Sequence, residues 1–299
     1  MNVEEAAKKI TSMEIRGAGR IARSAAEALK NFAQSYQGED ANEFKVQLEQ
    51  AASTLITTRP TAVSLSNAVN FTVKNITDIT EIEELRAKII QNADNFIEWS
   101  NLAVEKISEH SLAIIPDEAV IMTHCNSSAV VASLINVHKS GKKIKVFARE
   151  TRPVYQGRIT ARELAQAGIP VTLIVDSAAR YFMAQVDIVM VGADTVEAGG
   201  DVINKIGTSG LAIIANEFKV PFYVCAETYK FSPKTLSGEK TIIEERAVEE
   251  IIDPDDVPGV TIYNPVFDVT PARFIKSIIC EKGVISVSDV KNIIESLFE

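Results

Sequence analysis

The side chains that can do chemistry lie just beyond short apolar runs of the sequence. Cys125 follows the apolar run at residues 119–123, and Asp194 follows the run at residues 188–191, with Lys205 further along. A thiolate can take a proton from carbon, and a carboxyl whose pKa is raised by burial can exchange protons with oxygen. Together these groups predict proton transfer on an anionic sugar, which is chemistry that needs no metal ion.

The elements that must position these side chains alternate along the second part of the chain. Short apolar runs are separated by patterns typical of helices. The predicted strands lie at residues 119–123, 144–148, 171–175, 188–191 and 222–226, and the predicted helices at 127–138, 159–167, 178–184 and 211–218. Such alternation, with short connections, is typical of a parallel sheet with helices on both faces. The sequence therefore predicts an α/β fold with a doubly wound, mostly parallel sheet, whose ligand site lies at the carboxyl ends of the strands.

The first part of the chain has the pattern of helices rather than strands. Segments rich in Ala, Leu, Glu, Lys and Gln have apolar residues at a spacing of three to four. The predicted helices lie at residues 4–10, 21–36, 41–55 and 79–107. We therefore expect a helical domain at residues 1–110 and a sheet domain at residues 111–299. Near the end of the sheet domain we expect further strands at 260–263 and 284–286, and helices at 272–281 and 290–298.

Two loops between the predicted helices have residues suited to phosphate. In one, Arg16 and Arg20 flank Gly17-Ala18-Gly19, so two guanidinium groups and several backbone N–H groups can face one anion. This loop is not a dinucleotide fingerprint, because no strand precedes it. In the other loop, threonine hydroxyls stand beside Arg59. The local pattern leaves open that either loop is a solvated connection between helices.

Cys125 lies between a predicted strand and a predicted helix that begins near Ser127. A helix N-terminus lowers the pKa of a thiol, so we expect Cys125 to form a thiolate readily. Its neighbour His124 points to the opposite face of an extended strand, which argues against a Cys-His pair and for a structural histidine. We interpret Cys225, in a predicted strand, and Cys280, in a predicted helix, as core residues.

A second helix N-terminus is expected after Gly207-Thr208, close to Lys205. Free N–H groups, the helix dipole and the ammonium group would all favour an anion there. The alternative is that Asp194 caps a turn and Lys205 is a solvated surface charge. We favour a ligand site, because charged and reactive side chains concentrate at the carboxyl ends of the predicted strands.

Composition excludes several classes of protein. The 299 residues are 46% hydrophobic and 24% charged, which fits a soluble chain with a substantial core. The net charge of −9 gives no basic field for nucleic acid, and the apolar runs are too short to cross a membrane. Three widely spaced cysteines favour a reducing cytoplasm. No cofactor is expected, since the first strand-to-helix turn lacks G-x-G-x-x-G and neither the cysteines nor the histidines have metal-ligand spacing.

Several of these segments together resemble a known superfamily over nearly the whole chain. They are Arg16-Gly17-Ala18, Thr58-Arg59-Pro60-Thr61, Thr123-His124-Cys125-Asn126, Gly192-Ala193-Asp194 and residues 200–208. The superfamily joins the regulatory subunits of translation initiation factor two B with sugar-phosphate aldose–ketose isomerases. The resemblance implies an N-terminal helical domain followed by a Rossmann-like domain. It also implies an isomerase, because isomerases of this kind have the cysteine and the aspartate found here as Cys125 and Asp194.

Within the superfamily, residues 16–20 and 227–231 are similar to ribose-1,5-bisphosphate isomerases. That resemblance implies conversion of ribose 1,5-bisphosphate to ribulose 1,5-bisphosphate in nucleotide salvage, with Asp194 assisting ring opening and Cys125 taking the C2 proton. The residues expected to contact the phosphorylated pentose are Arg16, Gly17, Ala18, Gly19, Arg59, Ser127, Ser128, Ala129, Asn204, Lys205 and Lys230. The resemblance further implies a homo-oligomer, either a dimer or a trimer of dimers, and leaves AMP open as an activator.

Three alternatives stay open on the sequence alone. A methylthioribose-1-phosphate isomerase would need an apolar pocket for a thioether in place of the second phosphate. A regulatory subunit like those of initiation factor two B would bind a sugar phosphate or nucleotide without turning it over. A purely structural scaffold fits poorly with the concentration of charged residues at the strand ends.

Overall fold

The computed structural model describes residues 1–298, which form two compact units divided between Leu102 and Ala103. One long helix, α5 at Ile82–Ile114, begins in the first unit and continues into the second. The boundary expected at residue 110 lies inside this helix, and the division of the chain into domains at that point stays a prediction. Within residues 1–298, no helix has both the length and the apolar character needed to cross a bilayer.

The first unit is built from helices whose apolar faces share one core. Before α5, its helices are α1 at Val3–Thr11, α2 at Ala18–Ser35, α3 at Ala41–Thr58 and α4 at Val63–Thr72. Side chains such as Leu29, Leu48 and Leu85 are fully buried in this core. The helix α4 was not expected, because its Val, Ser and Asn residues have low helix propensity. Packing against α2 outweighs that propensity.

The second unit contains the remaining helices and all the strands of residues 1–298. The strands are β1 at Val120–Thr123, β2 at Lys145–Arg149, β3 at Val171–Ile174, β4 at Ile188–Gly192, β5 at Thr195–Val196, β6 at Val202–Lys205, β7 at Phe222–Cys225, β8 at Phe267–Thr270, β9 at Ser277–Cys280 and β10 at Gly283–Ile285. The helices are α6 at Ser128–Lys139, α7 at Gly157–Gln166, α8 at Ala179–Met183, α9 at Thr208–Glu217 and α10 at Val290–Phe298.

Seven of these strands form one sheet in the order β10-β9-β7-β4-β1-β2-β3. All neighbours in it are parallel except β9 and β10, which are antiparallel. The central strand β4 is buried along its whole length, as its run of apolar residues predicts. The predicted fold class, helices followed by a doubly wound and mostly parallel sheet, is confirmed.

A second, antiparallel sheet in the order β5-β6-β8 was not predicted. Its strands β5 and β6 form a hairpin in which Thr195 lies opposite Ile203. This hairpin turns the chain back after β4. It therefore brings the residues at the end of β6 beside those that follow β4.

Two predictions for the last part of the chain are wrong. Residues 272–281 form a short 3-10 turn and strand β9 instead of a helix, because Ile278 and Ile279 pair with β7 inside the core. Cys280 is therefore buried in a strand, not on a helix face. Residues 260–263 form no strand, and Val260 and Tyr263 are exposed to solvent.

Candidate active site

Cys125 stands at the turn between β1 and α6, where the sequence placed it. Its backbone has a φ of +67°, in the left-handed region. That conformation costs a residue other than glycine about 1 to 2 kcal/mol. Ser127 caps α6, since its side-chain oxygen accepts a hydrogen bond from the Val130 N–H at 3.4 Å. The predicted strand-to-helix turn is confirmed, and its strained residue is the one with the thiol.

Gly192 allows the end of β4 to approach the start of α6 closely. A Cβ added at Gly192 would lie 2.6 Å from both the Cβ and the Oγ of Ser127, closer than carbon atoms approach in folded proteins. Only glycine therefore fits here without displacing α6. The close approach brings the turn that contains Cys125 to the segment that contains Asp194.

Asp194 and Lys205 meet because of the β5-β6 hairpin. The Asp194 N–H donates to the Ile203 carbonyl at 2.9 Å, which fixes Asp194 opposite the end of β6. Lys205 is the last residue of β6 and is buried, with its Nζ 5.1 Å from the centre of the Phe267 ring. A lysine ammonium that is buried beside a carboxylate is the kind of group that holds an anionic substrate.

The electrostatic surroundings join Cys125, Asp194 and Lys205 in one site. Burial raises the pKa of the Cys125 thiol to about 11, with the Lys205 ammonium lowering it and the Asp194 carboxylate raising it. Burial likewise lowers the pKa of Lys205, while Cys125 and Asp194 act in the opposite direction. The expected lowering of the thiol pKa at the start of α6 is therefore wrong, because burial outweighs the lowering by Lys205 and by the Asn126 backbone N–H.

The backbone N–H groups at the start of α9 donate to a carboxylate of the chain itself. Asp268, on β8, accepts hydrogen bonds from the N–H groups of Gly207 at 2.7 Å and of Ser209 at 3.0 Å. Burial raises the pKa of Asp268, and these two hydrogen bonds lower it in part. Asp268 therefore binds two of the N–H groups at this helix start, where the sequence predicts an anion. Asn204 is likewise engaged, donating to Thr208 Oγ1 at 3.1 Å.

His124 has the structural role that the sequence predicted. Its Nε2 lies 2.8 Å from the Ile206 carbonyl oxygen, which can only accept a hydrogen bond. Burial, together with the nearby Arg149 guanidinium, lowers the pKa of His124 to about 3, so the ring is neutral with its proton on Nε2. Arg149 donates to the carbonyl oxygens of Gly207 at 2.9 Å and Asp176 at 3.1 Å. These buried contacts hold β1, β2 and the start of α9 together.

Lys230 lies past the end of β7 in a buried ion pair. Its Nζ is 2.6 Å from Glu227 Oε2, and the Tyr229 hydroxyl donates to Glu227 Oε1 at 3.1 Å. Burial alone would raise the pKa of Glu227, but the Lys230 ammonium, together with hydrogen bonds from the backbone and from the Tyr229 hydroxyl, lowers it below its usual value. Sequence reasoning missed Glu227 as the partner of Lys230. Its only signal was a spacing of three residues in a segment without a predicted helix.

In the first unit, the two predicted phosphate loops are neighbours. Gly17 begins α2 with a φ of +90° and no side-chain cap, and Arg16 beside it is exposed. The Ser64 hydroxyl near the start of α4 donates to the Ala18 carbonyl at 3.1 Å, and Arg59 ends α3 just before it. The uncapped start of α2 is thus available to an anion.

Among residues 1–298, no three His, Cys, Asp or Glu side chains are grouped to hold a metal ion. The groups present can instead transfer protons and bind anions.

The sequence matches one family model across residues 14–287, that of the initiation factor 2 subunit family. The chain belongs to this family. The ribose 1,5-bisphosphate isomerase of Archaeoglobus fulgidus is 51% identical over 285 residues, covering 95% of this chain and 89% of the relative. The methylthioribose-1-phosphate isomerase of Heliobacterium modesticaldum is 41% identical over 292 residues, covering 92% of this chain and 85% of the relative.

Solved structures of the initiation factor 2 subunit family share the fold. The crystal structure of translation initiation factor eIF-2B from Pyrococcus horikoshii matches with a TM-score of 0.83 and 31% identity, covering 95% of this chain and 96% of that chain. The family therefore includes isomerases and translation factors on one architecture. The choice between those functions depends on the residues of the site.

Proposed function

We propose that the chain is an aldose–ketose isomerase that converts ribose 1,5-bisphosphate to ribulose 1,5-bisphosphate. The observation that supports it best is that the Cys125 thiol lies within electrostatic reach of the Asp194 carboxylate and the buried Lys205 ammonium. The similarity to a ribose 1,5-bisphosphate isomerase over 95% of this chain agrees with that chemistry. An isomerisation of this kind moves protons within the sugar and consumes no co-substrate.

In the proposed first step, the Cys125 proton passes to Asp194. With a pKa of about 11, the thiol is protonated at neutral pH. Transfer to the carboxylate gives a thiolate base and a carboxylic acid in one movement, and Lys205 stabilises the thiolate. Asp194 then protonates the ring oxygen as the bond from that oxygen to C1 breaks, while the thiolate takes the proton from C2.

The second half of the reaction returns both groups to their starting state. The intermediate is an enediol that retains the phosphate on the C1 oxygen. Asp194, again a carboxylate, takes the proton of the C2 hydroxyl, and the Cys125 thiol gives its proton to C1. The ketone forms at C2. The proton on Asp194 then returns to Cys125, so no net proton is gained or lost.

The phosphate contacts remain a proposal of the same kind. We assign one group to the first unit, at the uncapped start of α2 and the loop beside it. A second group lies in the second unit, at the start of α6, at the end of β6 and past β7. The proposed contacts are Arg16, Gly17, Ala18, Gly19, Arg59, Ser127, Ser128, Ala129, Asn204, Lys205 and Lys230.

The setting of the enzyme is also proposed. We expect a helical domain at residues 1–110 and a catalytic domain at residues 111–299, in a cytoplasmic homo-oligomer that is a dimer or a trimer of dimers. We place the reaction in nucleotide salvage, with AMP as a candidate activator. Sedimentation of the purified chain, and assays with and without AMP, test these points.

The decisive experiment follows the sugar by NMR in deuterated water. Purified protein should convert ribose 1,5-bisphosphate to ribulose 1,5-bisphosphate, with deuterium at C1 where the transferred proton exchanges with solvent. The Cys125→Ser and Asp194→Asn variants should each lose roughly a hundredfold or more in kcat. Cys280→Ala, which alters a buried thiol in β9, is the matched control and should retain its activity.

Two outcomes would redirect the proposal. Conversion of methylthioribose 1-phosphate instead of the bisphosphate would make this chain an isomerase of the second kind found among its relatives. Binding of sugar phosphates without any turnover, unaffected by Cys125→Ser, would indicate a regulatory subunit.

A further inference from the structure

The strained backbone of Cys125 is held by side chains from two other elements. A φ of +67° is unfavourable for cysteine, so neighbouring groups must stabilise it. Among positions 1–298 this conformation recurs nearby at Thr151, with a φ of +66°. Both residues follow adjacent strands of the sheet, β1 and β2. Their conformations are linked, because their polar groups contact one another.

Thr151 holds the amide of Cys125. Its Oγ1 accepts a hydrogen bond from the Cys125 N–H at 2.9 Å. The single hydroxyl proton of Thr151 faces the Arg149 carbonyl at 3.1 Å and the unprotonated His124 Nδ1 at 3.3 Å. That proton therefore points away from Cys125 and leaves an oxygen lone pair for its amide. The side chain of Thr151 is fully buried, so water does not compete for these contacts.

Thr160 holds the carbonyl of the same residue from the other side. Its hydroxyl donates to the Cys125 carbonyl at 2.8 Å. The same oxygen accepts a hydrogen bond from Asn126 Nδ2 at 3.0 Å, which fixes the direction of the hydroxyl. Thr160 is buried in α7, whose first residue Gly157 packs against the Arg149 backbone. Both polar groups of the Cys125 backbone are thus bonded to buried threonines.

We infer that Thr151 and Thr160 are positioning residues that hold Cys125 in its left-handed conformation and thereby fix the position of its thiol relative to Asp194 and Lys205. This inference rests on the proposed function for its effect on turnover, but not for its effect on the thiol. Neither threonine touches the reacting atoms, and both act through the Cys125 backbone. Loss of either hydroxyl should let the turn relax and move the thiol.

The test compares valine with serine at each position. Thr151→Val and Thr160→Val preserve shape and remove the hydroxyl, whereas Thr151→Ser and Thr160→Ser retain it. Each valine variant should lower kcat about tenfold or more with KM nearly unchanged, since small displacements of reacting groups are costly. Each should also change the rate at which iodoacetamide alkylates Cys125, located by mass spectrometry. The serine variants should restore both quantities to near the wild-type values.

A matched control removes a buried hydroxyl elsewhere. Thr270 on β8 is fully buried, and its Oγ1 has no hydrogen-bond partner within residues 1–298. Thr270→Val should therefore leave kcat and the alkylation rate of Cys125 unchanged. This control separates the loss of two specific hydrogen bonds from the general effect of burying a methyl group.

A second measurement needs no variant. Hydrogen exchange should show the Cys125 amide of the wild-type protein protected, because it donates to a buried oxygen. Rapid exchange of that amide would overturn the inference, as would valine variants that alkylate like the wild type. If the wild type showed no isomerase activity, the proposed function would fail, whereas exchange and alkylation would still decide the role of the threonines.

Discussion

Two helices in the second unit, α6 and α9, begin close to the proposed catalytic residues, and their first turns are capped in different ways. The start of α6 is capped by the neutral hydroxyl of Ser127, which accepts one hydrogen bond at 3.4 Å. The start of α9 is capped by the Asp268 carboxylate, which accepts two hydrogen bonds at 3.0 Å or less. The start of α6 can therefore still attract an anion, whereas the start of α9 already binds the Asp268 carboxylate.

This difference separates a binding role from a structural one. The positive end of a helix dipole favours negative charge, so a carboxylate at α9 offsets the attraction that a phosphate would feel there. At α6 the side-chain cap is the neutral Ser127 hydroxyl, and the exposed Ser128 begins the helix. We therefore expect a phosphate of the substrate to favour α6, while the start of α9 fixes the segment that contains Lys205.

The largest expected effect concerns the thiol that precedes α6. Because burial raises the pKa of Cys125 to about 11, the thiolate is the minor form at neutral pH and its fraction rises with pH. Between about pH 8 and pH 10, alkylation of Cys125 should accelerate roughly a hundredfold, tenfold for each pH unit below the pKa. Alkylation with iodoacetamide over that range, in wild type and in Cys125→Ser, measures this directly. A plateau near pH 8 would mean that the α6 dipole, not burial, controls the thiol.

The second prediction gives the start of α6 a carboxylate cap, like the one that Asp268 provides at the start of α9. Ser127→Asp should cap the helix with a carboxylate, leaving its stability close to that of the wild type. The same carboxylate should repel a phosphate, so KM for ribose 1,5-bisphosphate should rise about tenfold or more, equivalent to about 1.4 kcal/mol. Ser127→Asn, a neutral cap of similar size, should have a much smaller effect. Equal KM values for the two variants would show that the substrate phosphate does not bind at α6.

The third prediction concerns how closely α6 approaches β4. In Gly192→Ala the new Cβ would overlap the side chain of Ser127, and overpacking of this kind costs about 1 to 3 kcal/mol. Urea unfolding should show that loss together with a fall in kcat, since Cys125 would move with the turn. In Gly210→Ala the new Cβ would have no atom from outside its own helix within 4 Å among residues 1–298, and α9 should be stabilised slightly. A fully active, stable Gly192→Ala would mean that α6 shifts without cost.

The order of strands and helices along the chain, and with it the mostly parallel class of the sheet, could be predicted from the sequence because its signals are local. Apolar runs such as 188–191 mark buried strands, and the residues that follow parallel strands share one edge. The small β5-β6-β8 sheet could not be predicted. Its β5 has two residues, and Val202 pairs with Thr270, far along the chain. Asp268 also lies far along the chain from α9, and the local sequence around it does not indicate that it caps a helix.

Local pattern also gave the wrong direction for the thiol. Position at a helix start predicts a lowered pKa, but the degree of burial of Cys125 depends on β4, β6 and the segments around them. The strained backbone of Cys125 and its hydrogen bonds to Thr151 and Thr160 could not be predicted either, because the two threonines lie on other elements. Residue types at strand ends can therefore be predicted from sequence, whereas their electrostatic state requires the packed fold.

The smallest expected effect concerns the start of α9, which is capped by the Asp268 carboxylate. Asp268→Ala removes the cap of α9, and loss of such a cap costs about 0.5 to 2 kcal/mol in the free energy of unfolding. Asp253→Ala is the control, because Asp253 caps an exposed 3-10 turn by accepting from the Asp255 N–H and should matter less. With the carboxylate gone, sulfate should raise the melting temperature of Asp268→Ala more than that of the wild type. If sulfate stabilised both equally, the start of α9 would not be an anion site that Asp268 fills, and the contrast with α6 would fail.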